Sequence, residues 1–73
     1  MSVMDSLQKR LGANLRRYRE ARGLSQEAFA DQLGWHRTYV GGLERGQRNL
    51  SLRALEDLAS RIGVDPLDLL SRL

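Results

Sequence analysis

The apolar residues of the chain recur with the spacing of α-helices and not with the alternation of β-strands. Leu7, Leu11, Leu15 and Tyr18 follow one another at intervals of four, four and three residues, which places them on one side of a helix. Val, Ile, Thr and aromatic residues are sparse and nowhere alternate over the length of a strand. The pattern therefore predicts an all-α protein.

Capping residues divide the apolar sets into separate helices. Ser25 and Ser51 stand where a side-chain oxygen can accept a backbone hydrogen bond, and Glu27 lies in a first turn, where the helix dipole favours negative charge. Glycine, which readily adopts the left-handed conformation that ends helices, follows four of the sets. These glycines are Gly23, Gly34, Gly46 and Gly63. The predicted second helix covers about residues 25–33 and the third about residues 36–44.

The end of the chain is predicted to form a fifth short helix. Asp65 and Pro66 resemble an N-cap residue and a first-turn residue. The apolar residues of this helix are Leu67, Leu69, Leu70 and Leu73. The sequence thus predicts one domain over residues 1–73, built from five short helices without strands.

Composition narrows the class of protein. Lys and Arg number 12 against 9 Asp and Glu, the pI is about 10.2, and all but one of the basic residues are arginine. Arginine binds phosphate and guanine bidentately, so this excess points to a polyanionic partner. The chain has no cysteine and one histidine, which excludes disulfides and a Cys/His metal site. No apolar run reaches about 18 residues, and we expect a cytoplasmic protein without a membrane segment or a cofactor.

The third predicted helix has an unusual outer face. A very short turn around Gly34 joins it to the second helix, which is typical of a helix-turn-helix unit. Opposite its apolar residues lie Arg37, Thr38, Gly41 and Gly42. Arg37 can reach guanine O6 and N7, Thr38 can touch a thymine methyl group or a phosphate, and the two glycines would let DNA come close. We therefore predict a DNA recognition helix; the alternative is a face that packs tightly against another helix.

From Leu11 to Leu70 the chain resembles the Cro/C1-type (XRE) helix-turn-helix family of transcription regulators. The segments that carry the resemblance are GLSQEAFADQLGWHRTYVGGLERG at residues 23–46 and NLSLRALEDLASRIGVDP at residues 49–66. The resemblance implies a compact, five-helix, lambda-repressor-like domain that binds double-stranded DNA. Within the family, the segments HRTYV and ERGQRNLSL are most similar to controller proteins of restriction-modification systems, which are small dimeric regulators.

The resemblance also implies roles for individual residues. Gln26 matches a phosphate-binding position, and Arg37 and Thr38 match base-reading positions. Gly42 matches another base-reading position, so the chain departs from the family pattern there, and more weight falls on Arg37 and on DNA shape. Further residues match positions near the DNA backbone, namely Tyr39, Arg45, Arg48 and Asn49.

Other prominent residues are interpreted chiefly as structural. His36 occupies the usual N-cap position of the third helix, where it would either cap the helix or touch a phosphate. Trp35 is expected to pack on the core. Arg19 and Glu44 match a pair that forms an internal salt bridge in related proteins. The cluster of Arg16, Arg17, Arg19 and Arg22 is interpreted as a solvated face; the alternative is that one or two of these arginines touch a phosphate.

The leucines of the fifth helix are too many for one short helix to bury. We therefore expect Leu67, Leu69, Leu70 and Leu73 to form a homodimer interface; the alternative is that they complete the core. A dimer would bind a palindromic operator with half-sites about one helical turn apart. The sequence shows neither a catalytic constellation nor a small-molecule site, so we do not expect an enzyme. The alternative function is an antitoxin or adaptor whose main partner is another protein.

Overall fold

Four α-helices follow one another, joined by two short turns and one longer loop. The structure is a computed structural model that describes residues 6–71. The helices are α1 Leu7–Ala21, α2 Gln26–Leu33, α3 Arg37–Glu44 and α4 Leu52–Ile62. No strand occurs among the described residues, in agreement with the all-α prediction. Both α2 and α3 begin one residue later than predicted, because Ser25 and His36 are their N-cap residues.

The prediction of a fifth α-helix is wrong. After α4 the chain forms only the three-residue 3₁₀-helix Asp68–Leu70, which follows a turn in which Asp65 Oδ1 accepts a backbone N–H at 2.9 Å. Asn14 of α1 donates from Nδ2 to the carbonyl oxygens of Leu69 and Ser71, at 2.8 and 3.0 Å. Because Asn14 binds these carbonyls and Ser71 is extended, the segment docks on α1 and does not continue as an α-helix.

The C-terminal leucines that the sequence places in a homodimer interface differ in how exposed they are. Leu69 is only 4% exposed and belongs to the core, so its placement in a dimer interface is wrong. Its burial follows from the docking of the 3₁₀-helix on α1. Leu67 is exposed and Leu70 is half-buried, whereas Leu73 lies outside the described residues.

The turn between α2 and α3 is set by local chemistry. Ser25 Oγ accepts from the backbone N–H of Ala28 at 3.0 Å and so begins α2; such a cap stabilises a helix by about 1 kcal/mol. Gly34 ends α2 with a φ of 73°, which glycine adopts without strain. The N–H of Trp35 then donates to the carbonyl of Ala30 at 2.9 Å. Only three residues separate the two helices as a result.

One apolar core lies between the helices. The largest fully buried side chains are Phe29, Leu15, Leu33, Leu43, Leu58 and Val40. The backbones of α1 and α3 approach closely at Gly12, where a Cβ would lie 2.6 Å from the carbonyl oxygen of Glu44. Arg61 of α4 donates from Nη1 to the carbonyl of Leu33 at 2.8 Å and joins α4 to the end of α2. The core therefore holds α3 by its inner face.

Candidate DNA-binding interface

The first turn of α3 presents exposed side chains without internal partners. Arg37 and Thr38 are exposed, and among residues 6–71 neither side chain makes a hydrogen bond or an ion pair. His36 is the N-cap residue, but its side chain makes no capping hydrogen bond, in contrast to the serines that cap the other α-helices. The backbone N–H groups that open α3 are therefore left for water or a ligand, and such a helix end attracts phosphate.

The prediction that the two glycines of α3 leave an open face is wrong. Both glycines are buried, because long side chains lie across them. A Cβ at Gly41 would lie 3.0 Å from Arg45 Nη1 and 3.6 Å from Gln26 Oε1. A Cβ at Gly42 would lie 2.8 Å from Arg48 Nε. The space that the glycines provide is thus filled by polar and cationic groups of the chain itself.

A buried ion pair fixes one of these groups. Arg19 donates from Nε and Nη2 to the two carboxylate oxygens of Glu44, at 2.7 and 3.0 Å, and the Glu44 side chain is only 3% exposed. The predicted internal salt bridge is therefore confirmed. The hydrogen bond to Glu44 raises the pKa of Arg19 above its ordinary value. Gln26 Nε2 also donates to Glu44 Oε1, at 3.0 Å, so the ion pair positions the amide of Gln26 beside α3.

Aromatic rings support the other side of α3. Trp35 packs against the core, as predicted, and its ring meets the Tyr39 ring edge to face, with centroids 5.2 Å apart. The Arg48 guanidinium lies over the Tyr39 ring, 5.3 Å from its centroid. Arg48 thus has a defined position on α3, although it belongs to the loop that follows the helix.

The structure adds two residues that sequence reasoning missed. Gln47 Oε1 accepts a hydrogen bond from Arg45 Nε at 3.0 Å. Because these residues are only two positions apart, the sequence could have indicated this contact. Gln8 Nε2 donates to Asn49 Oδ1 and ties the start of α1 to the loop after α3. Gln8 and Asn49 are 41 positions apart in the chain, and no sequence pattern indicates their contact.

The arginines among the predicted DNA-binding residues lie at the start of α3 and in the segment that follows this helix. Arg37, Arg45 and Arg48 are exposed and make no ion pair within the described part of the chain. The carboxylate of α3, that of Glu44, is neutralised by Arg19. None of the helices in residues 6–71 has the length and apolar content that a membrane span needs. Residues 6–71 contain no group of three His, Cys, Asp or Glu that could hold a metal ion.

Two helices joined by a three-residue turn, the second bearing free arginine and threonine side chains, define a helix-turn-helix DNA-binding domain. The family model described as "Helix-turn-helix domain" matches residues 10–73, and the chain belongs to this family. Members of this family are DNA-binding transcription regulators and not enzymes, and the protein is one of these regulators.

Relatives of the chain include control proteins. It is 44% identical over 62 residues to the control protein C.SmaI of Serratia marcescens, covering 85% of this chain and 74% of that protein. It is 39% identical over 69 residues to the control protein C.MunI of a Mycoplasma species, covering 93% of each. The crystal structure of the restriction-modification controller protein C.AhdI from Aeromonas hydrophila matches with a TM-score of 0.72 and 47% identity, over 85% of this chain and 94% of that one.

Proposed function

We propose that the protein is a cytoplasmic controller of restriction-modification genes that binds a palindromic operator as a homodimer. The observation that carries the proposal is the start of α3, where Arg37 and Thr38 are exposed and unpaired beside open backbone N–H groups. The likeness to the restriction-modification controller protein C.AhdI supports restriction-modification genes as the regulated genes. Regulation would follow from protein concentration and operator position.

The interface divides into base-reading and backbone-binding parts. Arg37 projects from the first turn of α3, which enters the major groove in helix-turn-helix domains, and its guanidinium can bind guanine O6 and N7 together. Thr38 offers a methyl group to thymine or a hydroxyl group to phosphate. Gln26 at the start of α2, with Arg45 and Asn49 beyond α3, flanks this helix and suits contacts to phosphate.

An apolar groove next to the loop after α3 supports the dimer. Leu7, Leu52 and Leu70 line it, and Leu52 is 79% exposed. Arg48 and Asn49 form part of the same groove. A two-fold axis through this groove would bring the DNA-facing loops of two copies together, as binding to adjacent half-sites on one face of DNA requires. Leu70 lines the groove and thus remains in the proposed interface, where Leu7 and Leu52 join it. Leu67 is exposed but does not line the groove, and it stays in the proposal on the sequence prediction alone.

Replacing Leu52 with glutamate is expected to weaken the dimer about tenfold or more. A charge would take the place of an apolar contact worth about 1 kcal/mol or more in each copy. Leu52 is the first residue of α4, where a negative charge suits the helix dipole, so the fold should persist. Sedimentation equilibrium measures the dissociation constant. Gln32→Glu, exposed and outside the groove, is the matched control. Equal dimerisation of both variants would contradict the placement of the interface.

Selection of binding sites from a random DNA library tests the proposed function. The wild-type protein is expected to enrich a two-fold symmetric sequence whose half-sites lie about 10 base pairs apart, centre to centre. The spacing follows from the requirement that two copies of α3 enter the same face of the duplex. Enrichment of one asymmetric motif, or of none, would contradict binding as a symmetric dimer.

A further inference from the structure

Arg48 occupies the space of the side chain that Gly42 lacks. A Cβ on Gly42 would lie 2.8 Å from Arg48 Nε, 3.3 Å from its Cγ and 3.5 Å from its Cδ. The aliphatic stem of Arg48 therefore lies along the backbone of α3 and buries Gly42, which contributes no side chain of its own. The Tyr39 ring, 5.3 Å from the guanidinium carbon, supports the far end of the arginine.

Gly42 lies on the face of α3 that is proposed to contact the DNA bases. Gly42 follows Thr38 by four residues, so it lies one helical turn further along the same face. Arg48 is exposed and has no carboxylate partner among the described residues. Its guanidinium is therefore free to bind, in the place where a side chain at position 42 would otherwise meet the bases.

We propose that Gly42 is a specificity-determining residue because it lets Arg48 lie on α3 and read a guanine in each half-site. The inference rests on the proposed function. It changes the role of Arg48 from the contact near the DNA backbone that the family resemblance implies to that of a second base reader beside Arg37. A loop arginine thus replaces the reader that α3 lacks at Gly42, and guanine is its partner because O6 and N7 accept the guanidinium fork bidentately.

The test is Gly42→Ala. The three atoms nearest the added methyl group all belong to the flexible side chain of Arg48. Because alanine is also favoured over glycine inside a helix, the thermal midpoint should stay the same or rise. Arg48 must leave α3, and affinity for the site selected by the wild-type protein should fall about fivefold or more. Affinity for a shuffled duplex should not change. Fluorescence anisotropy measures the affinities for the two duplexes, and thermal unfolding measures the midpoint.

A double-mutant cycle makes the test specific to Arg48. In an Arg48→Ala background, Gly42→Ala should cause no further loss, since both changes remove the same contact. Site selection with either single variant should lose the same guanine. Arg17→Ala, an exposed arginine near Val64 and Leu69, controls for the loss of one positive charge.

Three outcomes would overturn the inference. These are wild-type affinity of Gly42→Ala on the selected site, equal losses on both duplexes, and additive losses in the cycle. Equal losses would show that Arg48 binds phosphate, because a backbone contact does not distinguish sequences. A wild-type protein that selects no sequence would instead overturn the proposed function itself.

Discussion

Replacing Arg19 with alanine is expected to lower the free energy of unfolding by about 3–5 kcal/mol, the cost of leaving a buried charge without its partner. The Glu44 carboxylate is 3% exposed and accepts two hydrogen bonds from Arg19, so water cannot replace them without opening the domain. A small domain is stabilised by about 5–15 kcal/mol in total, and this loss is a large part of it. The variant should therefore melt well below the wild type.

Urea unfolding followed by circular dichroism measures the loss. Arg16→Ala is the matched control, because the Arg16–Glu20 pair is 62% and 55% exposed and such pairs contribute only about 0–1 kcal/mol. Since the pKa of Arg19 is raised, its contribution is complete below the ordinary arginine pKa and is lost only at higher pH. The ionisation of Arg19 should thus add no pH dependence to the wild-type stability around neutral pH. A similar stability of both variants would contradict the structural role of the buried pair.

Replacing Arg37 with alanine is expected to abolish most of the sequence preference. Losing a bidentate guanine contact costs about 1–3 kcal/mol, and a two-fold dimer loses it in both half-sites, or about 2–6 kcal/mol in total. The loss should be specific, because the Arg37 side chain is exposed and makes no hydrogen bond or ion pair among the described residues. Anisotropy titrations on the selected site and on a shuffled duplex measure the two affinities at one salt concentration.

Arg37→Lys separates recognition from charge. Lysine keeps the positive charge but cannot form the planar, bidentate contact, so binding to the shuffled duplex should be retained while the preference for the selected site falls. If Arg37→Ala weakened binding to both duplexes by the same factor, and Arg37→Lys restored both, Arg37 would be a phosphate contact and not a reader.

The sequence predicts what local chemistry determines. Ser25 and Gly34 specify the ends of α2 through one capping bond and one left-handed residue, and both features depend only on neighbouring residues. The exposure of Arg37 follows from helical periodicity, since the inner face of α3 is fixed by its apolar residues. The ion pair between Arg19 and Glu44 is predicted only by the family resemblance, because no local sequence pattern pairs residues in different helices.

The sequence does not predict where the long arginine side chains lie relative to the helix backbone. The two glycines of α3 indicate a bare surface, but Arg45 and Arg48 fold back into the space that Gly41 and Gly42 provide. The predicted fifth α-helix is a second case in which the local sequence is misleading. Local propensity favours this helix, but it does not form. The side chain of Asn14, 55 positions before Leu69, binds the carbonyls that an α-helix would have used. Tertiary contacts decide both cases.

The ratio of two affinities of the wild-type protein tests whether α3 recognises a DNA sequence. Anisotropy across a range of salt concentrations would compare the two-fold symmetric selected site with a shuffled duplex of the same composition. A sequence-specific regulator is predicted to bind the selected site about a thousandfold more tightly or better, while both affinities fall as salt releases counterions from the phosphates. Equal affinities with the same salt dependence would contradict sequence-specific recognition by α3.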